Sequence, residues 1–285
     1  MKIGLIVEGG GMKCAYGAGV LDGFLDENIT FPYCIGVSAG AANTASYLAG
    51  QRDRNRRFYT EHIHEDGYFG MKNYLKDRNL FGLQYIYGNL TNSDGGDPLD
   101  LPKILSNPSV FVIVATNAKT GKPEYFHKED LIQDDYRLFM ASSCLPAACK
   151  PIEWKGQYYY DGGVSDSLPF RKAMEDGCDK VVAILSKPRD YVKEPEKARA
   201  FYTMACRRYP NTIHALNERH IRYNAQFSQL KHLEDAGKAF IFAPEGNIAM
   251  STYGMDEAAN QALYDQGLSH VQHYKDALSD FLCYT

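Results

Sequence analysis

Apolar positions along the chain gather into short unbroken runs, separated by longer stretches with helical spacing. Residues 2–7 form the first strand, whose five residues after Lys2 are apolar without alternation, as in a strand buried on both faces. A glycine turn follows it, and then Ala15, Ala18, Leu21, Phe24 and Leu25 share one face of a helix. Residues 33–37 are a second run, leading into an Ala-rich helical stretch over 39–48. Residues 109–116 are a third, and 123–127 return as a hairpin after Lys119-Thr120-Gly121-Lys122. Helical spacing over 130–143 turns Leu131, Tyr136, Phe139 and Met140 inward, until Leu145-Pro146 stops it. A second hairpin joins 152–154 to 157–160, and a helix starting near Pro169 leads to a buried strand over 181–185. From residue 194 the chain reads as mainly helical, with a final strand at 240–243. Such recurrent alternation of strand and helix predicts an α/β fold with a mostly parallel sheet covered on both faces.

Over 51–105 this pattern loosens. Arg52, Arg54, Arg56, Arg57 and Arg78 mix with aromatic residues, and acids are interleaved among them. A cap over a site or a face touching lipid headgroups would suit that mixture. The near-balance of charge favours an ordinary solvated helical insertion over either. The chain is therefore expected to be one domain over 1–285, with an insertion at about 51–105 and a helical tail at about 194–285.

Two glycine-containing turns carry the chemistry. Gly36-Val37-Ser38-Ala39-Gly40 sets a serine between a strand and a helix, the context a nucleophile elbow needs. Ser38 would sit at a helix N-terminus, where unpaired N–H groups favour developing negative charge. The alternative is that Ser38 only caps the helix. The other turn, Glu8-Gly9-Gly10-Gly11-Met12-Lys13, joins a strand to a helix and makes an anion cradle. A dinucleotide fingerprint needs glycine where Cys14 stands, and a Walker loop needs Ser or Thr after Lys13. What remains is an oxyanion hole for Ser38 around Gly10, Gly11 and Met12, or a tight turn with no further role. Cys14 also starts a helix, a position that favours the thiolate, but the elbow already supplies a nucleophile.

A serine hydroxyl needs a base. Of the eight histidines, His214, His220, His232, His270 and His273 fall on predicted helices, and His127 sits among charged residues. All of these read as surface residues. Asp161 ends a predicted strand and is followed by Gly162 and Gly163, which presents its carboxylate at the strand end. An Asp-Gly hairpin turn is the competing reading.

Apolar residues make up 45% of the 285, enough for a sizeable core, and the net charge of −4 argues against a nucleic-acid binder. Seven cysteines, odd in number and without a C-x-x-C pair, suggest neither a disulfide framework nor a zinc site. No metal or other cofactor is expected. The first apolar run is too short for a signal peptide, and no run approaches a membrane span. A cytoplasmic location follows as an expectation, with peripheral contact at a membrane through the insertion as an addition to it.

Taken together, Gly9-Gly10-Gly11-Met12-Lys13, Gly36-Val37-Ser38-Ala39-Gly40 and Asp161-Gly162-Gly163 resemble, in order, the three signature blocks of the patatin-like phospholipases, in their small bacterial branch. Ala141-Ser142-Ser143-Cys144-Leu145-Pro146, with Pro151 beyond it, resembles the block that family carries ahead of its Asp-Gly-Gly. The likeness covers roughly 3–187. It implies a three-layer α/β/α fold and hydrolysis of lipid acyl esters, of phospholipase A or lysophospholipase type, through an acyl-serine. By the same resemblance Ser38 is the nucleophile and Asp161 the base of a dyad without histidine. Gly9, Gly10, Gly11 and Met12 would frame the oxyanion hole. Gly36, Gly40, Lys13, Gly162 and Gly163 would support these turns. The chain departs from the family where Lys13-Cys14 stands for Arg-Gly, keeping the charge but losing the forked donor geometry of arginine. A soluble esterase or thioesterase, or a non-catalytic protein keeping the fold, are the competing functional readings.

Overall fold

The computed structural model describes residues 1–77, 79–197, 199–246 and 254–283, with the side chains of Tyr74, Lys76 and Asp77 excepted. Arg78 of the insertion and residues 198, 247–253 and 284–285 of the tail lie outside the described residues.

One sheet organises the chain. Its strands are β1 (Ile3–Val7), β2 (Tyr33–Val37), β3 (Val110–Asn117), β4 (Pro123–His127), β5 (Ile152–Trp154), β6 (Gln157–Asp161), β7 (Lys180–Ile184) and β8 (Ala239–Phe242). They lie in the order β5-β6-β3-β2-β1-β7-β8, with β4 also on β3. β3, β2, β1, β7 and β8 are parallel to one another, and β4, β5 and β6 pair antiparallel, so the sheet is mostly parallel as the alternation predicts.

Because side chains alternate across a strand, the sheet divides two cores. On one face Leu5, Val7, Cys34, Phe111, Ile113 and Ile184 pack beneath the helices α1 (Ala15–Asp26) and α2 (Ala39–Leu48) and the insertion. On the other, Ile6, Ile35, Val37, Val112, Val114 and Ala183 meet Tyr223, Phe227 and Leu230 of the long helix Pro210–Asp235. The fold is thus a three-layer α/β/α sandwich. Among the described residues no helix is long and apolar enough to cross a membrane.

The helix expected over 130–143 is shorter than its spacing suggests. Only Arg137–Ser142 is α-helical, and Lys128–Asp130 is a single 3-10 turn. Asp134 between them has φ of 61° and accepts from the Ser93 N–H at 2.6 Å. The left-handed backbone there interrupts the helical run while leaving Tyr136, Phe139 and Met140 in the core.

The register of β3 brings two strand ends together. Val37, the last residue of β2, pairs with Val114, and Asp161, the last of β6, pairs with Ala115. Val114 and Ala115 face β4 on their other side, at Tyr125 and Glu124. β2 and β6 therefore share one edge of β3, run toward each other along it, and meet end to end.

Candidate active site

Ser38 leaves β2 with φ 55° and ψ −134°, a backbone conformation that costs a non-glycine residue of order 1–3 kcal/mol. Its side chain makes no cap to α2, which removes the capping reading. The Ser38 N–H donates to Ser142 Oγ at 2.7 Å, and that hydroxyl donates to the Val114 carbonyl at 2.7 Å. The turn is closed tightly enough to exclude side chains at two neighbours. A Cβ on Gly40 would lie 2.5 Å from the Val7 carbonyl oxygen, and one on Gly9 would lie 2.7 Å from Ser38 Cβ. The glycine loop after β1 thus passes directly over the elbow. Gly11 takes φ of 59° within it, and Met12 is buried. Gly36 is the penultimate residue of β2, backed by α2 at Ala41.

Asp161 is 3% exposed and accepts a hydrogen bond at 2.7 Å from the Gly163 N–H, with the Ser38 hydroxyl beside its carboxylate. It ends β6 and caps a 3-10 turn, Gly162–Val164, and so is not the tip of a hairpin. Its main chain is held on both sides: its N–H donates to the Cys144 carbonyl at 2.8 Å, and Thr116 Oγ1 donates to its carbonyl at 2.8 Å. Burial pushes its carboxyl above the ordinary carboxylate range, a rise partly offset by the Arg219 charge, the nearby Ser38 hydroxyl and the Gly163 N–H. Arg219 reaches this point from the helix Pro210–Asp235, donating through Nε to the Gly163 carbonyl at 2.6 Å.

Ser38 and Asp161 open on a cavity of about 700 Å³. Tyr59, Tyr68, Phe81, Leu83, Ile86 and Leu99 of the insertion line it, so that stretch is a wall of the cavity and not an ordinary solvated face. The reason is a buried charge network. Arg54, 4% exposed, donates to the Asp97 carbonyl oxygen at 2.8 Å, and Arg57 grips the Asp97 carboxylate at 2.7 and 2.9 Å. Arg54 is accordingly unavailable to lipid headgroups. Among the described residues no histidine lines the cavity. His62 is held between Asp97 at 3.1 Å and Glu65 at 2.6 Å, and His270 faces Tyr16.

Cys14 is buried, with Sγ 3.5 Å from the Glu8 carbonyl. Burial, aided by Glu8, pushes its thiol far above the usual range, against the direction a helix start favours. Among the described residues no group of His, Cys, Asp and Glu could hold a metal ion.

A family model described as Patatin-like phospholipase matches residues 5–174. The chain belongs to the patatin-like phospholipase family. A second model, Domain of unknown function (DUF6363), matches 209–283. The patatin-like chain is 26% identical over 198 residues to the uncharacterized protein YjjU of Escherichia coli (strain K12). That alignment covers 68% of this chain and 55% of YjjU, so the chain spans about half the length of this curated relative. VipD from Legionella pneumophila superposes on 94% of the chain and 67% of its own, at 12% identity and a TM-score of 0.40.

Three residues around the patatin-like site have roles that their sequence context does not announce. Ser142 stands in one of the resembling blocks, but nothing local ties it to the Ser38 N–H. Lys187, which lines the cavity and pairs with Glu8, follows β7 at the carboxyl edge of a parallel sheet, where ligand sites gather, and that position is the available signal. Arg219 lies among Glu218, His220 and Arg222 and reads as a solvated helix face.

Proposed function

We propose that the chain is a serine hydrolase of lipid acyl esters, of phospholipase A or lysophospholipase type, working through a Ser38–Asp161 dyad. The observation that carries this reading is the Ser38 hydroxyl set beside a buried Asp161 carboxylate in a large, mainly apolar cavity that no described histidine lines. The Ser38 proton passes to the Asp161 carboxylate as Oγ attacks the ester carbonyl. Main-chain N–H groups of the Gly9-Gly10-Gly11-Met12 loop stabilise the tetrahedral oxyanion, each donor contributing ~3 kcal/mol. Collapse breaks the bond to the alcohol, which takes the proton from Asp161, and leaves acyl-Ser38. Water then gives a proton to Asp161 as it attacks the acyl carbon, and the C–Oγ bond breaks as Asp161 returns that proton to Ser38 Oγ, releasing the fatty acid and restoring the free hydroxyl and carboxylate. The raised pKa of Asp161 makes it a stronger base than an exposed carboxylate. A fluorophosphonate probe should label the wild-type chain and not Ser38→Ala. Equal labelling of both would assign the reactive group elsewhere.

A further inference from the structure

The cavity has two unlike walls. Ser38 and Asp161 lie at the sheet edge between them. One wall is the insertion, aromatic and aliphatic, from the layer above α1 and α2. The other carries Lys13, Lys187, Lys193 and Arg219, brought by the glycine loop, the segment after β7 and the helix Pro210–Asp235. We propose that this second wall is a binding site for an anionic group on the alcohol portion of the substrate ester. The proposal rests on the reading of Ser38 as nucleophile.

Charge on that wall is unbalanced. Glu8 pairs with Lys187, while Glu196 is shared between Lys193 Nζ at 3.1 Å and Arg219 Nη1 at 2.9 Å. Among the described residues the Lys13 ammonium makes no hydrogen bond or ion pair, so four cations stand against two carboxylates before Asp161 is counted. Unmatched cations in a partly enclosed site are costly, and a bound anion relieves that cost. The strain is registered by the amines themselves. Burial, followed by the charge of Arg219, brings Lys193 down to about 8, and burial followed by Lys187 lowers Lys13. An anion bound beside the amines opposes both shifts.

Orientation follows from the two walls. An acyl chain gains by burial against the aromatic side, which leaves the departing alcohol at the cationic side. A phosphate there, on a glycerol ester of net negative charge, accepts charge-assisted hydrogen bonds. An uncharged glyceride leaves the cations unmatched, and a choline headgroup adds another positive charge.

The test uses the full chain and short-chain esters held monomeric: octanoyl-glycerol-phosphate, octanoyl-glycerophosphocholine and mono-octanoylglycerol. Wild type should prefer the phosphate ester over the uncharged one by about tenfold or more in kcat/KM, carried in KM. Lys193→Gln and Lys13→Gln should each cut that ratio at least threefold, and Lys193→Arg should restore it. Calorimetry with Ser38→Ala reads the same preference as Kd without turnover, so loss of hydrolysis and loss of the anion site are told apart. A wild-type ratio within threefold in both measurements, or one that neither lysine variant moves, overturns the proposal. Binding of inorganic phosphate alone with no preference among the esters also overturns it, making the wall a free-anion site.

Discussion

The elbow at Ser38 and the insertion wall that faces it are held by opposite means. At the elbow nearly everything is main chain: Gly9 and Gly40 admit no Cβ, and Ser142 ties the Ser38 N–H to β3. At the wall the fastening is largely ionic and made by side chains. Arg54 and Arg57 converge on Asp97, and Arg54 reaches Thr91 and Ser46 at 3.1 and 3.0 Å. The first arrangement fixes reacting atoms to within the tolerance of a β-ladder. The second shapes a chamber, with two guanidinium groups sharing the Asp97 carboxylate and the buried Arg54 bonded besides to carbonyl and hydroxyl oxygens. Chemistry and shape are thus stabilised by different interactions, and they can be broken separately.

The largest effect should come at the elbow. Asp161→Asn is expected to abolish ester turnover about as fully as Ser38→Ala, by about four orders of magnitude or more, and the double variant should be little worse than either. The amide keeps the carboxylate's shape but cannot take the proton, while the thermal melt should show both variants folded. In wild type, kcat/KM should fall on acidification, because only the carboxylate accepts the Ser38 proton. The inflection should lie above the ordinary value of about 4, since Asp161 is shifted upward.

Next comes the wall. Asp97→Asn leaves Arg54 buried without its counter-charge and should cost about 3–5 kcal/mol of stability, measured by denaturant unfolding. Burial alone would raise the Asp97 carboxyl, but hydrogen bonds from His62 and Arg57 and the Arg54 charge hold it at about 2. A folded pKa below the unfolded one stabilises above the unfolded value near 4 and is lost as pH falls from there through 2. The acid limb of the unfolding curve should therefore flatten in the variant. Fluorophosphonate labelling of Ser38 in the folded variant should persist; loss of labelling there would mean the two regions are not separable.

The smallest effect tests the strain. Ser38→Gly removes the hydroxyl and the positive-φ penalty together, against an entropy cost of roughly 1 kcal/mol for the added glycine. A net gain of about 1 kcal/mol, or ~2–4 °C in Tm, is expected in an inactive chain. An unchanged or lower Tm would show the elbow backbone to be relaxed.

The same contrast governs what could be read from the chain. Strands β1, β2, β3 and β7 and the elbow were legible because unbroken apolar runs and fixed glycine spacings are local signals. Ser38, Asp161 and the glycine loop came from three such segments, joined by their likeness to one family. The wall was not legible. Arg54 and Asp97 are 43 positions apart, and nothing in either neighbourhood distinguishes a buried ion pair from two solvated charges. Arg219 was hidden in the same way, on a polar helix whose inward face is set by packing against β8 and the turn after Asp161. Asp134 shortened a helix that spacing alone extends, because an αL residue leaves no trace in apolar periodicity.

Ser38 and Asp161 come together only because β2 and β6 share an edge of β3, and that has a consequence in time. The two residues are 161 − 38 = 123 positions apart, so their meeting waits on slow non-local strand pairing. Helices and the β3–β4 hairpin can form before it. During refolding, far-UV dichroism should recover first and reactivity toward a fluorophosphonate last, making the probe a clock for the final pairing. A chain in which β6 had slipped one residue along β3 would turn Asp161 to the opposite face of the sheet. It would keep nearly all its secondary structure and stay silent to the probe.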